Sequence, residues 1–334
     1  MIISKTPYRI SFFGGGSDYP EWLLKNEGSV ISSTINKFVY ISCRELPPYF
    51  KYKHRIAYSK IEAVKNLNEI KHVVVRNALN KFKNEFFFKK NGLEIHYDGD
   101  FPSRTGIGSS SAFNVGFLNL INNFFNKKIS KKRLADESID LEQNILKETV
   151  GSQDQISTSY GGFNEINFFN NGKYKVKPLI TSKKDLTNLE NQMILVFSGT
   201  RRKNTTANHI ASSYVSTLAN NNKKHIFEIM EHVKIAKKIF KSKNFEDIGP
   251  LLHETWKIKK KLSSFLSNSK IDEIYNLGIK NGSTGGKLLG AGGAGFILFF
   301  LPKKNRVKFL KAFKNFTTIN FKFENEGSKI IFND

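Results

Sequence analysis

The residues best suited to chemistry in this chain sit in three glycine-rich stretches. The first is PSRTGIGSSSAF, Pro102–Phe113. Gly106 and Gly108 let the backbone around Ile107 curl closely about a ligand, and Ser109, Ser110 and Ser111 add hydroxyls where a helix begins. Backbone N–H groups at a helix start carry partial positive charge and cradle phosphate; serine hydroxyls can also ligate Mg²⁺. A tight turn before an N-capped helix would use the same residues. The G-x-x-x-x-G-K-[ST] phosphate loop is absent from the chain.

The second stretch is GGKLLGAGGAGFILFF. Gly290–Gly295 matches G-x-G-x-x-G, but a dinucleotide site needs a strand before it, a helix after it and an acid about 20 residues on. Here an apolar strand, Phe296–Leu301, follows, and the next acid is Glu324. The loop reads instead as a close-approach loop beside a site, with Gly292 and Gly293 as substrate contacts and Lys287 just before it. The third is PYRISFFGGGSDYP, Pro7–Pro20, where a strand delivers Arg9, then Gly14, Gly15, Gly16, Ser17 and Asp18. Glycines beside an Asp and an Arg suit a polyhydroxylated ligand; a strand-to-helix turn capped by Asp18 is the plainer alternative.

The elements that must position these loops follow from pattern and punctuation. Residues 2–13, 29–44, 93–97, 193–197 and 296–301 read as strands, and 161–169 with 173–178 as a hairpin across Asn171-Gly172. Helices are expected near 111–125, 130–147 (Ser130 as N-cap), 204–220, 223–242, 245–266, 270–281 and 303–316. Strand runs and helix runs without regular βα alternation predict an α+β fold. A boundary near residue 185 divides the chain into 1–185 and 186–334.

Composition narrows the class. A 334-residue chain with 39% hydrophobic and 25% charged residues can bury a substantial core. The lone Cys43 excludes an internal disulfide framework and a multi-cysteine zinc site. The opening residues carry no secretory pattern and no apolar run reaches 18 residues, so the expected home is the cytoplasm. The net charge of +24 admits a nucleic-acid binder or a field that attracts phosphates. The lysines, however, sit in amphipathic helical patterns such as KIAKKIFKSK and WKIKKKL, where they read as solvated faces. No homeodomain, zinc finger or RNP aromatic pattern accompanies them.

With all three loops in this order, the sequence resembles the GHMP small-molecule kinases over essentially its whole length. That resemblance implies an N-terminal ribosomal-protein-S5-like domain, a C-terminal ferredoxin-like domain, and ATP with Mg²⁺ as donor. It implies that Pro102 and residues 106–111 wrap the triphosphate. Asp154, in VGSQDQISTSYGG, stands where the catalytic base is found, although taken by itself it could simply cap a helix. Arg9 would steady that base or the transferring phosphoryl group. Ser110 matches the metal-facing serine; Glu142 matches the acidic metal ligand after a one-residue adjustment, with Glu148 as its rival. Galactokinases carry Gly-Glu-His-Thr-Asp where this chain has Gly14–Asp18, which disfavours galactose. GGGSDYP, VGSQDQ, SGTRR and GGKLLGAGGAGF together most resemble the D-glycero-D-manno-heptose 7-phosphate kinase branch, whose members phosphorylate the anomeric hydroxyl. In that reading Gly15, Gly16, Ser17 and Asp18 contact the sugar, and Arg202 with Lys287 receives its distal phosphate. A fucokinase-like sugar-1-kinase and, from another class, a basic nucleic-acid-binding protein remain alternatives. The implied partners are a sugar phosphate and ATP, with no nucleic acid or membrane and no oligomeric state specified.

Overall fold

The computed structural model describes residues 1–84, 91–200, 207–215, 218 and 222–334. Its strands are β1 (Ile2–Phe13), β2 (Gly28–Leu46), β3 (His54–Ala57), β4 (Ile61–Val64), β5 (Gly92–Gly99), β6 (Phe163–Phe168), β7 (Tyr174–Ile180), β8 (Met193–Phe197), β9 (Gly285–Leu288), β10 (Phe296–Phe300), β11 (Thr318–Ile319), β12 (Phe323–Glu324) and β13 (Lys329–Asn333). Its α-helices are α1 (Pro20–Leu23), α2 (Val73–Asn80), α3 (Ser109–Phe124), α4 (Lys131–Asp140), α5 (Gln153–Tyr160), α6 (Lys183–Glu190), α7 (Ala207–Val215), α8 (Lys223–Ser242), α9 (Ile248–Lys260), α10 (Ser269–Lys280) and α11 (Arg306–Ala312). The fold is α+β, with both sheets mixed among helices.

β2 organises the first sheet. Nineteen residues long, it pairs β1 along most of its length, β6 through its first half and β5 through its second. The sheet order is β13-β1-β2-β5-β3-β4, with β6, β7 and β12 joined at the side of β2. The β3–β5 pair is parallel; the other pairs are antiparallel. α3 lies across β1 and β2, and every residue from Ser111 to Asn122 is buried. The second sheet, β11-β8-β10-β9, is antiparallel throughout. β10, FILFF, is buried at every position, which explains its unbroken apolar run. Trp256, Tyr275, Phe309 and Phe313 pack on that sheet, the last three against Phe299 of β10.

A cut at residue 185 separates the two sheets but not the chain that builds them. β12 and β13, from the last dozen residues, return to the first sheet, against β2 and β1. The reason is edge pairing: β1 has a free side that β13 covers, Ile2 opposite Asn333 through Lys5 opposite Lys329. Aromatic packing also joins the halves. Phe12 of β1 and Phe163 of β6 stack at 5.2 Å, and Phe163 meets Phe240 of α8 edge-on at 5.0 Å.

Two helices differ from expectation in ways that matter below. α3 starts at Ser109, two residues early, so the serines form its first turn behind Gly108, which is left-handed at φ +72°. The expected helix over 130–147 ends as regular α-helix at Asp140, and residues 141–145 form a π turn carrying Glu142. Such single wide turns often re-aim a side chain at a site. Among the described residues no helix is long and apolar enough to cross a membrane.

Candidate active site

A cleft of about 1120 Å³ opens where β1, the start of α3, the start of α5 and the loop after β9 converge. Pro102, Gly106, Gly108 and all three serines line it, as do Arg9, Gly15, Gly16, Asp18, Asp154, Glu142, Glu148 and Lys287. Residues 200 positions apart in sequence thus share one cavity.

At its floor Arg9 and Asp154 form a fork-to-fork pair. Arg9 Nε donates to Asp154 Oδ1 and Nη2 to Oδ2, both at 2.5 Å, while Nη1 donates to the carbonyl of Gly106 at 2.9 Å. Arg9 is 4% exposed and Asp154 20%, so the carboxylate keeps a face toward the cleft. One guanidinium therefore fixes the acid and the serine-bearing loop relative to each other.

Asp18 is fully buried, and its oxygens accept from Gly16 N at 3.0 Å and Gln153 N at 3.2 Å. Burial pushes Asp18 above the usual carboxylate range, backed by repulsion from Asp154 and opposed by those two N–H groups. Gly151 makes room for it: a β-carbon there would stand 2.0 Å from Asp18 Oδ2.

Glu142 is buried, and its carboxylate accepts from Ser111 Oγ at 3.1 Å and from Asn114 and Gln155 side-chain amides. No cation pairs with it among the described residues, and burial followed by repulsion from Glu148 pushes it up to about 8. Glu148 is likewise raised by burial and also faces the cleft. The buried Asn114 Oδ1 and Gln155 Oε1 beside Glu142 have no hydrogen-bond partner among the described residues. A carboxylate without a counter-ion, flanked by unpaired oxygens and a row of hydroxyls, fits a hard divalent cation. Among the described residues no cluster of three or more His, Cys, Asp or Glu side chains offers an all-protein metal site.

Several expectations change. Ser111, not singled out as a partner of Glu142, hydrogen-bonds it, while Ser110, expected to face a metal, is exposed and lines the cleft. Ile107 points into the core and supplies only its carbonyl, to Arg9 N. Ser17 is buried away from the cleft, its hydroxyl donating to Gly14 O at 2.8 Å. Gly292 and Gly293 do not line the cleft. A β-carbon on Gly292 would meet Leu266 Cδ2 at 2.8 Å, and Gly293 N donates to Leu266 O. Gly290 and Ala291 line it instead. Arg202 lies outside the described residues. Lys287 faces the cleft with its Nζ donating to Phe12 O at 3.0 Å; burial holds it well below the ordinary lysine value.

Two groups of cleft residues escaped the sequence reading. Lys259 belongs to WKIKKKL, read as a solvated face, yet it is only 8% exposed and its Nζ donates to Gly290 O at 3.2 Å. The signal was available: Leu252, Trp256 and Lys259 follow helical spacing, so Lys259 falls on the buried stripe of α9. The other group closes the end of the cleft near α2. Tyr58 and His72 meet edge-on at 4.9 Å, His72 lies 4.9 Å from Phe113, and Tyr97 meets Phe113 at 5.4 Å. Burial holds His72 below the ordinary imidazole value, favouring a neutral ring among these aromatic side chains, all four of which line the cleft.

Comparison with known proteins gives the family. The model of the GHMP kinases N terminal domain matches residues 72–162, and that of the GHMP kinases C terminal matches 235–316. Together these make up just over half of the chain. The D-glycero-alpha-D-manno-heptose 7-phosphate kinase of Campylobacter jejuni is 28% identical over 98% of both chains. The bifunctional fucokinase/GDP-fucose pyrophosphorylase of Arabidopsis thaliana is 24% identical over 91% of this chain, which spans only 30% of that larger protein. The crystal structure of a D-glycero-D-manno-heptose 1-phosphate kinase from Bacteroides thetaiotaomicron superposes with a TM-score of 0.81 over the full length of both, at 21% identity.

Proposed function

Because the chain belongs to the GHMP kinases, phosphotransferases that act on hydroxyl groups, we propose that it transfers the γ-phosphoryl of ATP to the anomeric C1 hydroxyl of D-glycero-D-manno-heptose 7-phosphate. The product is the 1,7-bisphosphate, which feeds GDP-activated heptose for a cell-surface polysaccharide; the reaction runs in the cytoplasm, where ATP is. The observation that carries the kinase reading is the Arg9–Asp154 pair, tied through Gly106 to the loop at the start of α3. It sets an acceptor carboxylate beside a phosphate cradle. The heptose reading is supported by full-length similarity to the C. jejuni enzyme.

The chain's own groups divide the work. The aromatic slot of Tyr58, His72, Tyr97 and Phe113 takes the adenine ring, and Gly106, Gly108, Ser109 and Ser110 hold the phosphates by backbone N–H and hydroxyl. Asp154 accepts the proton of the C1 hydroxyl as that oxygen bonds to the γ-phosphorus and the bond to the ADP oxygen breaks. Arg9 keeps the carboxylate aimed. Asp18, Gly15 and Gly16 bind sugar hydroxyls. Ser110 and Glu142, with Glu148 nearby, would hold Mg²⁺, which supplies charge neutralisation across the phosphates. Lys287 and the basic segment that contains Arg202 would receive the distal phosphate.

The test is a panel of acceptors with ATP and Mg²⁺: heptose 7-phosphate, free heptose, fucose and mevalonate, with products resolved by ³¹P NMR. A second, anomeric phosphate resonance on heptose 7-phosphate is expected. Equal kcat/KM for free and phosphorylated heptose would remove the distal-phosphate assignment, and a preference for fucose would put the fucokinase-like reading first.

A further inference from the structure

The scheme above leaves one buried cation of the cleft without a task. We infer that Lys259 contacts the phosphoryl group as it passes from nucleotide to acceptor, and so is a further catalytic residue. The inference rests on the kinase reading and adds a residue that the sequence pattern had assigned to the surface.

Position comes first. Lys259 Nζ donates to the carbonyl of Gly290. Gly290 is pressed against Gly106, since a β-carbon on Gly290 would lie 2.5 Å from Gly106 Cα. Gly106 in turn accepts Arg9 Nη1, and Arg9 holds Asp154. Lys259, on α9, and Arg9, on β1, therefore each hold one of the two loops that meet at Gly106 and Gly290, at the junction of phosphate cradle and acceptor carboxylate. A phosphoryl group moving between the two must cross that junction.

Available donors come second. Arg9 commits two N–H groups to Asp154 and one to Gly106. Lys259 has three N–H donors and a single hydrogen bond within the described residues; no carboxylate of those residues comes within 4 Å of it. Lys287 also makes one hydrogen bond, but to Phe12 O on β1, whereas Lys259 is held at the loop that abuts Gly106. Lys259 is thus the cleft lysine placed beside the phosphate cradle with donors to turn toward incoming equatorial oxygens.

Electrostatics agree. The groups facing Lys259 are Arg9 on β1, Asp18 before α1, Asp154 on α5 and Lys287 on β9. Burial, then repulsion from Arg9, pushes the ammonium down to about 8 against the pull of Asp18 and Asp154. An under-neutralised ammonium is relieved by an arriving anion, and most by the group that gathers charge during transfer.

The test compares Lys259→Met and Lys259→Arg with wild type. Calorimetry with Mg²⁺ reads binding of ADP and of a β,γ-imido ATP analogue; single-turnover kinetics reads transfer. Lys259→Met should weaken the triphosphate analogue about tenfold and leave ADP unchanged. It should also slow transfer by roughly 10²–10³-fold, equally for phosphorylated and free sugars, and Lys259→Arg should restore part of both. The melting temperature of Lys259→Met should stay level or rise, because a desolvated charge is gone. Transfer within threefold of wild type would overturn the inference. So would a loss confined to KM for phosphorylated acceptors, or equal weakening of ADP and the analogue with a lower melting temperature. A wild-type enzyme that prefers a different acceptor would overturn the heptose reading alone, since the two-nucleotide comparison would still decide Lys259. Failure of wild type to bind either nucleotide would overturn both.

Discussion

Gly106 and Gly290 meet backbone to backbone: a β-carbon on Gly106 would stand 2.3 Å from Leu289 O, and one on Gly290 2.5 Å from Gly106 Cα. The contact joins the phosphate cradle to the second sheet, so it should be intolerant of any side chain. Gly172 offers the control. It has the same left-handed backbone, φ +75° against +74° at Gly290, but nothing lies within 4 Å of its would-be β-carbon. Gly172→Ala should cost about 1–2 kcal/mol for the backbone conformation and leave activity unchanged. Gly290→Ala should cost more, by urea unfolding, and raise KM for ATP. Equal losses in the two variants would show that the loop contact contributes nothing.

Asp154→Asn should lower kcat by roughly 10²–10⁴ with ATP binding little changed. An anomeric hydroxyl is more acidic than an ordinary alcohol, so the lower end of that range is expected. The amide can still accept from one Arg9 nitrogen, so the fold should hold. A kcat within threefold of wild type would remove Asp154 from the role of base.

Glu142→Gln keeps the side-chain length but removes the one ionisable group on the π turn. Because burial raises Glu142 to about 8, the variant should melt like wild type at neutral pH and higher than wild type above pH 8, where wild type must bury an anion. Its requirement for Mg²⁺ in ATP binding should shift to higher concentration. An unaltered Mg²⁺ titration would pass the ligand role to Glu148.

Lys259 gives stability a defined pH dependence. Its folded value of about 8 lies below the 10.5 of an exposed lysine. Between those values the unfolded chain binds more protons, so this residue makes stability rise with pH from about 8 to about 10.5 and cease to change above. Lys259→Met should abolish that rise. The difference between variant and wild type isolates it from Glu142, whose raised value acts in the opposite direction below pH 8. Parallel stability profiles for the two proteins would contradict the burial of a charged Lys259.

Local chemistry was written in the sequence. Two glycines before three serines, an apolar run after a glycine loop, and Ser130 ahead of a helical pattern each act within a few residues. β10 and the start of α4 stand where that pattern predicts, and the glycine turn precedes α3 as expected, although the helix begins two residues early and takes in the serines. The glycines of residues 290–295 were legible as a close approach but not as an approach to Gly106, since their neighbour lies nearly two hundred residues away. Tertiary structure alone decided the pairings. It brought Arg9 across 145 residues to Asp154, set Ser111 against Glu142, and returned β13 to the free edge of β1. It also took Lys259 from a basic helix into the cleft. Propensity, capping and turn chemistry are short-range and can be read along the chain. Ion pairs, sheet edges and the burial of one lysine among many depend on which distant surfaces meet, and no local pattern specifies that.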